Sequence, residues 1–248
     1  MEEDVHPFEA TEDREEVARS FERYNLVSAG VVDDAGRLVG MVMIDDIVDV
    51  IQEEAEEDLR GLAGLGDEEI SDAVFVTAKS RFTWLVVNLA TAVLASVVIS
   101  LFEGTIEAMV ALAVLMPIVA SMGGNAGTQT MTVAVRALAT QELDARNMWR
   151  VLRREVLVSL LNGIALAILI GIAATLWFGN AGLGTVIGVA IVINMVSAGL
   201  SGLLIPVVLE KVGVDPAIAS SVFVTTVTDI VGFFAFLWIA ALWVGLPI

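Results

Sequence analysis

Cysteine is absent from the 248-residue chain, and histidine occurs once, as His6. Disulfide bridges and thiolate metal sites are therefore excluded, and histidine-based zinc or acid–base chemistry is excluded from the rest of the chain. Basic residues are also scarce, with 13 Lys and Arg against 31 Asp and Glu, so the net charge is −18. Because so acidic a protein repels phosphate, nucleic acid is not an expected partner.

Apolar residues are present in excess. They make up 57% of the sequence, and the mean hydropathy is +0.82, which indicates a polytopic membrane protein rather than an ordinary soluble domain. The negative charge is confined to one end, since residues 1–80 have a net charge of −17 and residues 81–248 of −1. An acidic water-soluble part thus precedes a nearly neutral membrane part. Such a surface serves solubility or life at high salt, and it also attracts cations.

The pattern of the first 60 residues predicts a small α/β unit. A helix over residues 11–24 opens at the N-cap Thr11, and two short strands over 26–34 and 37–44 are joined by a turn. A helix over 45–59 follows, with apolar residues at helical spacing on one face and acids on the other. The run "VVDDAGRLVGMVMIDDIVDVI" within this unit resembles one CBS motif. Such motifs occur in pairs, so the other is expected from a partner subunit or from sequence outside these residues.

Five apolar stretches follow, each long enough to cross a membrane as a helix. They cover residues 82–102, 106–138, 155–178, 183–208 and 217–245. The second is long enough to project beyond the hydrocarbon. The fold class expected is an all-α polytopic membrane domain preceded by the α/β unit.

The basic residues orient these stretches. Lys79 and Arg81 precede the first stretch, and Lys211 lies between the fourth and the fifth. Five more basic residues separate the second stretch from the third: Arg136, Arg146, Arg150, Arg153 and Arg154. All of them fall on the side of the N-terminal unit. We therefore expect a multi-pass protein of the cytoplasmic membrane, with its N-terminus in the cytoplasm and its C-terminus outside.

One acid lies deep inside the predicted hydrocarbon. Asp229 follows Asp215 by fourteen residues, about 21 Å along a helix, which places it near the middle of the membrane. A charge there is costly, and intramembrane acids usually face a water-filled path or a partner. Ser221 and Thr225 lie eight and four residues earlier, on the same helical face. The alternative is a protonated Asp229 that bonds a neighbouring hydroxyl.

A second polar row lies in the second stretch. Gly124, Thr128 and Thr132 recur every four residues, on one face of a helix, with the amide of Asn125 beside them. Three further small residues would let helices approach closely, namely Gly123, Ala126 and Gly127. A helix-packing face is the alternative interpretation, but together with Asp229 the two rows could line one pathway.

The ligand atoms of these rows indicate the class of ion. Carboxylate, hydroxyl, amide and carbonyl oxygens are hard ligands, and Mg²⁺ keeps most of its waters while one or two carboxylates hold it. One Asp229 per chain becomes two across a twofold axis. A water-lined path with an acidic pair at its centre would pass a largely hydrated dication, although these features do not decide which one.

The segments "PIVASMGGNAGTQTMTVAVRALATQEL" and "EKVGVDPAIASSVFVTTVTDIVG", together with the CBS-like unit, resemble the MgtE family of Mg²⁺ channels and transporters. The resemblance covers about residues 11–248 and leaves the family's helical N-terminal domain and first CBS motif without a counterpart. It implies a homodimer in the lipid bilayer with five spans per chain and a pore at the twofold axis. It divides the chain into a cytosolic CBS-like unit over 1–60, a plug-like connecting helix over 61–80 and a pore domain over 81–248.

The resemblance also implies which residues carry the function. The central pore acid corresponds to Asp229, and the pore-lining positions of the glycine segment correspond to Gly124, Thr128 and Thr132. The metal-site candidates are therefore Asp229, Thr225, Ser221, Gly124, Asn125, Thr128 and Thr132. Ser221 stands where many members carry asparagine, and Thr128 stands where some carry an amide.

Members of this family close their pore when cytosolic Mg²⁺ bridges acidic surfaces. Adjacent acids repel one another when the ion is scarce and are held together when it is abundant. The candidate regulatory residues are Asp46, Asp49, Glu53, Glu54, Glu57, Asp58 and Asp215. A merely solvated acidic face is the alternative, and whether the CBS-like unit binds nucleotide is left open.

The function expected is Mg²⁺ transport, without enzymatic activity. A carrier of Co²⁺, Mn²⁺ or Zn²⁺ is one alternative, and a CBS nucleotide sensor on a passive membrane anchor is another. An intramembrane enzyme is disfavoured, because no cysteine, histidine or second acid accompanies Asp229.

Overall fold

The structure, a computed structural model, describes residues 7–65, 73–144 and 146–245. The chain divides into two compact units, residues 1–60 and 61–248. The first unit is α/β and the second is helical, as expected of the fold class.

The first unit consists of a three-stranded sheet and two helices. Its elements are β1 (Phe8–Glu9), α1 (Arg14–Tyr24), β2 (Ser28–Val32), β3 (Leu38–Met43) and α2 (Ile44–Leu62). The sheet order is β1-β2-β3, with β1 parallel to β2 and β2 antiparallel to β3. The predicted hairpin is confirmed. Strand β1 was not predicted, because a two-residue strand has no periodicity to detect.

The hairpin turn is held by one carboxylate. Asp33 Oδ1 accepts hydrogen bonds from the backbone N–H of Ala35 and of Arg37, and its Oδ2 accepts from Arg37 Nε at 2.9 Å. These bonds to Arg37 favour the ionised form, so they lower the pKa of Asp33. Gly36 takes a φ of 73°, which a residue with a side chain rarely adopts.

The start of α1 differs from its prediction. Asp13, not Thr11, is the N-cap, because the Asp13 carboxylate accepts from the Glu15 N–H at 2.8 Å. The apolar side of α1 buries Val17 and Phe21 against the sheet residues Phe8 and Ala29 and against Ile47 of α2. This small core fixes both helices on the sheet.

The second unit contains the five predicted membrane spans. Its helices are α3 (Val74–Ser100), α4 (Glu103–Ala108), α5 (Ala111–Ala139), α6 (Met148–Phe178), α7 (Ala181–Lys211) and α8 (Pro216–Val244). All except the short α4 are long and apolar enough to cross a membrane.

Two boundaries differ from the predicted ones. The α3 helix begins at Val74, so the end of the expected connecting helix over 61–80 is continuous with the first span; the part over 66–72 lies outside the described residues. The second apolar stretch is not one helix, because Met109 leaves the helical conformation at φ −146° and ψ 86°. The acids Glu103 and Glu107 before this break disfavour a continuation in hydrocarbon.

The α7 helix is the centre of this unit. It packs against α5, α6 and α8. In an apolar segment of 18 residues, 56% of α7 is buried, whereas 6% of the corresponding segment of α3 is buried. Ile187 and Ile191 of α7 are fully buried against Val119 of α5 and Phe236 of α8. The peripheral α3 exposes its apolar side chains in the way that a lipid-facing helix does.

Candidate functional site

The α5 and α8 helices approach each other closely and run in opposite directions. A Cβ placed on Gly127 would lie 2.5 Å from Val224 Cγ1 and 3.5 Å from Thr228 Cγ2. Further along α5, Met131 and Val135 pack with Val224 and with Ala217, nearer the start of α8. Residues later in α5 therefore contact residues earlier in α8, so the two helices are antiparallel. The close approach expected of Gly127 is observed.

On α5, the predicted polar row faces outward. Asn125, Thr128 and Thr132 are exposed, and a Cβ on Gly124 would meet no described atom within 4 Å. The hydroxyls of Thr128 and Thr132 each donate to the carbonyl one turn earlier, at 2.9 Å. Since the hydroxyl protons are used inside the helix, this row presents oxygen lone pairs outward and acts as an acceptor surface.

The polar row on α8 has the same character. Thr225 Oγ1 donates to the Ser221 carbonyl at 2.8 Å, so its lone pairs also remain available. Thr225 is exposed, whereas Ser221 and Asp229 are partly buried. Within the described part of the chain, Asp229 has neither a hydrogen bond nor an ion pair. No described hydroxyl therefore forms a hydrogen bond with Asp229.

Helix geometry brings the two rows side by side. On α5, Thr128 directly follows Gly127, which contacts α8. On α8, Thr225 and Asp229 directly follow Val224 and Thr228, the two residues that face Gly127. Each residue turns a right-handed helix by about 100°. For antiparallel neighbours, the residue after a contact residue lies on the same side in both helices. We call this continuous surface the α5–α8 polar face; it comprises Gly124, Asn125, Thr128, Thr132, Ser221, Thr225 and Asp229.

This face offers hard oxygen atoms and one formal negative charge, which suits a hydrated divalent cation. Among the described residues, no group of three or more Asp, Glu, His or Cys side chains is arranged to hold a metal ion. The described part of the chain therefore offers no metal cage built from such side chains. The geometry favours an open surface along which a hydrated ion moves over a closed site that binds a bare ion.

The expected regulatory acids on α2 are partly engaged by a base that the sequence analysis missed. Arg14 of α1 lies 2.9 Å from a carboxylate oxygen of Glu53, 2.9 Å from one of Glu54 and 4.0 Å from one of Glu57. Partial burial raises the pKa of Glu54; Arg14 opposes the rise, and Glu15 and Glu57 add to it. We call Glu53, Glu54 and Glu57 the acidic stripe of α2; it is less negative than the sequence of α2 alone indicates.

The other regulatory candidates have varied surroundings. Asp46 accepts from the backbone N–H of Met43 at 3.1 Å, near the start of α2, and Asp49 is exposed. The side chain of Asp58 lies outside the described part. Asp215 is the N-cap of α8, where its carboxylate accepts from the Ala217 N–H at 2.7 Å. Asp215 therefore has a structural role as a helix cap, which the sequence analysis did not assign to it.

Sequence reasoning also missed Asn194, which is 1% exposed and lies at the meeting point of α5, α7 and α8. The sequence does contain a signal that could have identified Asn194, because it is the one amide in the otherwise apolar run "VIGVAIVINMV". Polar side chains within spans usually bond a neighbouring helix.

The fold and the site define a multi-pass helical membrane protein that carries an acid on an outward-facing polar face of two spans and is preceded by an α/β unit. The MgtE family model, described as a divalent cation transporter, matches residues 116–239, and the CBS domain model matches residues 1–53. The chain belongs to the MgtE family of divalent cation transporters.

Relatives named "Magnesium transporter MgtE" align over most of the chain. The relative from Bacillus subtilis is 38% identical over 233 residues, which cover 94% of this chain and 52% of the relative. The relative from Thermus thermophilus is 39% identical over 236 residues, which cover 93% of this chain and 52% of the relative. A third, from Enterococcus faecalis, is 37% identical over 231 residues, or 93% and 51%. The chain thus spans about half the length of these curated relatives.

Proposed function

We propose that the chain transports Mg²⁺ across the cytoplasmic membrane along the α5–α8 polar face. The observation that carries the proposal is that the threonine hydroxyls of the two rows beside Asp229 donate within their own helices and keep lone pairs available as acceptors. A divalent cation can keep its hydration shell beside such a face, because the protein oxygens accept hydrogen bonds from the waters around the ion. The carboxylate offsets the positive charge of the ion. The name of the relatives, magnesium transporter, supports Mg²⁺ as the ion.

The same face supports a homodimer. Exposed Asn125, Thr128 and Thr225 would contact hydrocarbon if the chain were a lone subunit, and such contact is costly for polar groups. A second copy related by a twofold axis covers the face and brings two Asp229 carboxylates to one path. Light scattering of the chain in detergent should give the mass of two protomers.

The test of the function is cation influx into proteoliposomes that carry the purified chain. We expect Mg²⁺ influx above that of protein-free liposomes, and we expect Co²⁺, Mn²⁺ and Zn²⁺ at equal concentration to compete less well than unlabelled Mg²⁺. Stronger competition by one of these ions would assign the transport to that ion. No influx of any of the four would contradict the transport function.

The arrangement in the membrane follows from the basic residues. Lys79 and Arg81 near the start of α3, and the arginines at the end of α5, in the following loop and at the start of α6, belong on the cytoplasmic side. We infer a cytoplasmic N-terminus and an external C-terminus. A protease site placed after Gly245 should be cut from the outside of intact spheroplasts.

The acidic stripe of α2 supports a role in closing the path when cytosolic Mg²⁺ is abundant. Glu53, Glu54 and Glu57 lie within 4.0 Å of Arg14, so a cation that binds the stripe competes with this guanidinium. Arg14 therefore sets the Mg²⁺ concentration at which the stripe fills.

Replacing Arg14 by glutamine should increase the Mg²⁺ affinity of the whole chain about two- to fivefold, the range of an exposed ion pair. The measurement is the rise in melting temperature with added Mg²⁺, since a ligand that binds only the folded state stabilises it. Arg37→Gln is the matched control, because it removes one exposed charge that pairs with Asp33 instead. Equal Mg²⁺ responses of the two variants would mean that the stripe does not bind the ion.

The alternatives receive less support. The α/β unit has a cavity of about 280 Å³ whose ionisable lining is Glu9, Glu12, Asp46 and one base, Arg14. That charge balance disfavours the phosphates of a nucleotide. We infer no enzymatic activity, because the similar proteins are named as transporters.

A further inference from the structure

The Asn194 amide lies where three helices meet. The side chain, on α7, is 1% exposed, and its Nδ2 donates to the Val119 carbonyl of α5 at 2.9 Å. Its Oδ1 has no hydrogen-bond partner within the described residues. Asn194 thus joins α7 to the backbone of α5 at the cost of one buried acceptor without a partner.

Two glycines enclose this amide. A Cβ on Gly232 of α8 would lie 2.5 Å from Asn194 Nδ2 and 2.9 Å from its Cγ. A Cβ on Gly123 of α5 would lie 2.7 Å from Asn194 Cγ and 2.9 Å from its Oδ1. The amide therefore occupies the gap between α5 and α8, and its thickness sets the distance between the two helices at this level.

The Asn194 amide lies at about the depth of Asp229, the candidate pore acid. Gly232 follows Asp229 by three residues, about 4.5 Å along the helix axis, and Gly123 directly precedes Gly124. The amide therefore lies behind the α5–α8 polar face, at the depth of Asp229, and does not itself belong to that face.

Packing alone does not require an amide here. One turn further along α7, Ala198 packs at 3.8 Å from the Cβ position of Gly127 and leaves no polar atom without a partner. A buried polar atom without a partner is destabilising, because it has lost its hydrogen bonds to water. Unlike an apolar side chain, the amide can fix the rotation of α5 through the Val119 carbonyl.

We propose that Asn194 is a positioning residue that fixes the spacing and rotation of α5 relative to α8 at the depth of Asp229, and thereby sets which divalent cation passes. The inference rests on the proposed transport function. Helix spacing discriminates between hydrated ions because the water oxygens lie at about 2.0–2.1 Å from Mg²⁺ in a near-octahedral shell and at about 2.3–2.6 Å from Ca²⁺ in a more variable one, so the two hydrated ions differ in size and shape.

A double-mutant cycle between Asn194 and Gly123 tests this proposal. The full chain is prepared as Asn194→Ala, Gly123→Ala and the double variant, with folding followed by size-exclusion profile and melting temperature. Gly123→Ala should fold poorly, because its methyl group meets the amide. The double variant should regain the native profile, since Asn194→Ala vacates the volume that the methyl needs.

The decisive measurement is the ratio of Mg²⁺ to Ca²⁺ influx in the folded variants. We expect this ratio to change by about tenfold in Asn194→Ala and in the double variant, the factor that one lost buried hydrogen bond corresponds to. A space-filling role predicts a native ratio in the double variant, so that result would overturn the proposal. If the double variant does not fold, Asn194→Leu, which keeps a similar volume and lacks the hydrogen bond, decides by the same ratio. Absence of influx in the native chain would instead contradict transport itself.

Discussion

Replacing Asp229 by asparagine should reduce Mg²⁺ influx at least about 100-fold while the chain folds as before. The substitution keeps the shape of the side chain and removes its charge. Asp229 makes no hydrogen bond or ion pair within the described residues, so the loss of charge breaks no structural contact. The effect should therefore fall on the passage of the ion.

The size of the effect follows from the charge on the α5–α8 polar face. Asp229 is its single ionisable residue, and the threonine hydroxyls beside it contribute only dipoles. A unit negative charge and a dication about 4 Å apart attract by about 8 kcal/mol at an effective dielectric constant of 20. If a hydrated ion experiences a third of this energy, the population of the ion at that depth falls about 100-fold without the carboxylate.

The matched control is Glu210→Gln, which removes one exposed acid at the end of α7, away from the polar face. Both variants should show native size-exclusion profiles and melting temperatures, and only Glu210→Gln should retain influx. Asp229→Glu, which keeps the charge but lengthens the side chain, should give an intermediate rate. Native influx in Asp229→Asn would mean that this residue is structural and that the cation path lies elsewhere.

Replacing Gly202 by alanine should destabilise the membrane unit by about 3 kcal/mol, as overpacking of a tight helix contact does. The added Cβ would lie 2.7 Å from the Gly127 carbonyl oxygen, 2.8 Å from Thr130 Cβ and 3.1 Å from the Met131 nitrogen. Two of these atoms belong to the α5 backbone, so no side-chain rotation relieves the contact. The α5 and α7 helices would have to separate, and the melting temperature should fall by about 10 °C.

Gly124→Ala adds the same methyl group to a helix glycine and is the control. A Cβ there would meet no described atom within 4 Å, and alanine improves helix propensity by about 1 kcal/mol. Its melting temperature should equal or exceed the native value, whereas its Mg²⁺ influx should fall because the methyl group protrudes from the polar face. Equal melting temperatures for the two variants would contradict the close contact of α5 with α7.

The membrane class and the five spans could be predicted because each rests on a local property. The transfer free energy of about 20 consecutive apolar residues does not depend on their neighbours in space. The β2–β3 hairpin was equally local, since its turn residues and strands are adjacent in the sequence. Asp229 stood out for the same reason, because a charge in an apolar run is costly wherever that run packs.

Other features depend on which helix lies opposite. The neighbours Gly123 and Gly124 have the same side chain and differ only by one helical step of about 100°, yet one meets Asn194 and the other meets open space. Arg14 reaches Glu53 across 39 positions of sequence, so the partial neutralisation of the α2 acids could not be read from α2.

By itself the sequence determined the membrane class, the number of spans and the one intramembrane acid, because hydropathy and charge act through the local chain. Only the tertiary structure decided which small residues of α5 pack and which face outward. It also decided that Asn194 stands behind the polar face, bonded to a carbonyl 75 positions away. The physical reason is that packing and hydrogen bonding between helices depend on distances in space, which the order of residues along one helix does not contain.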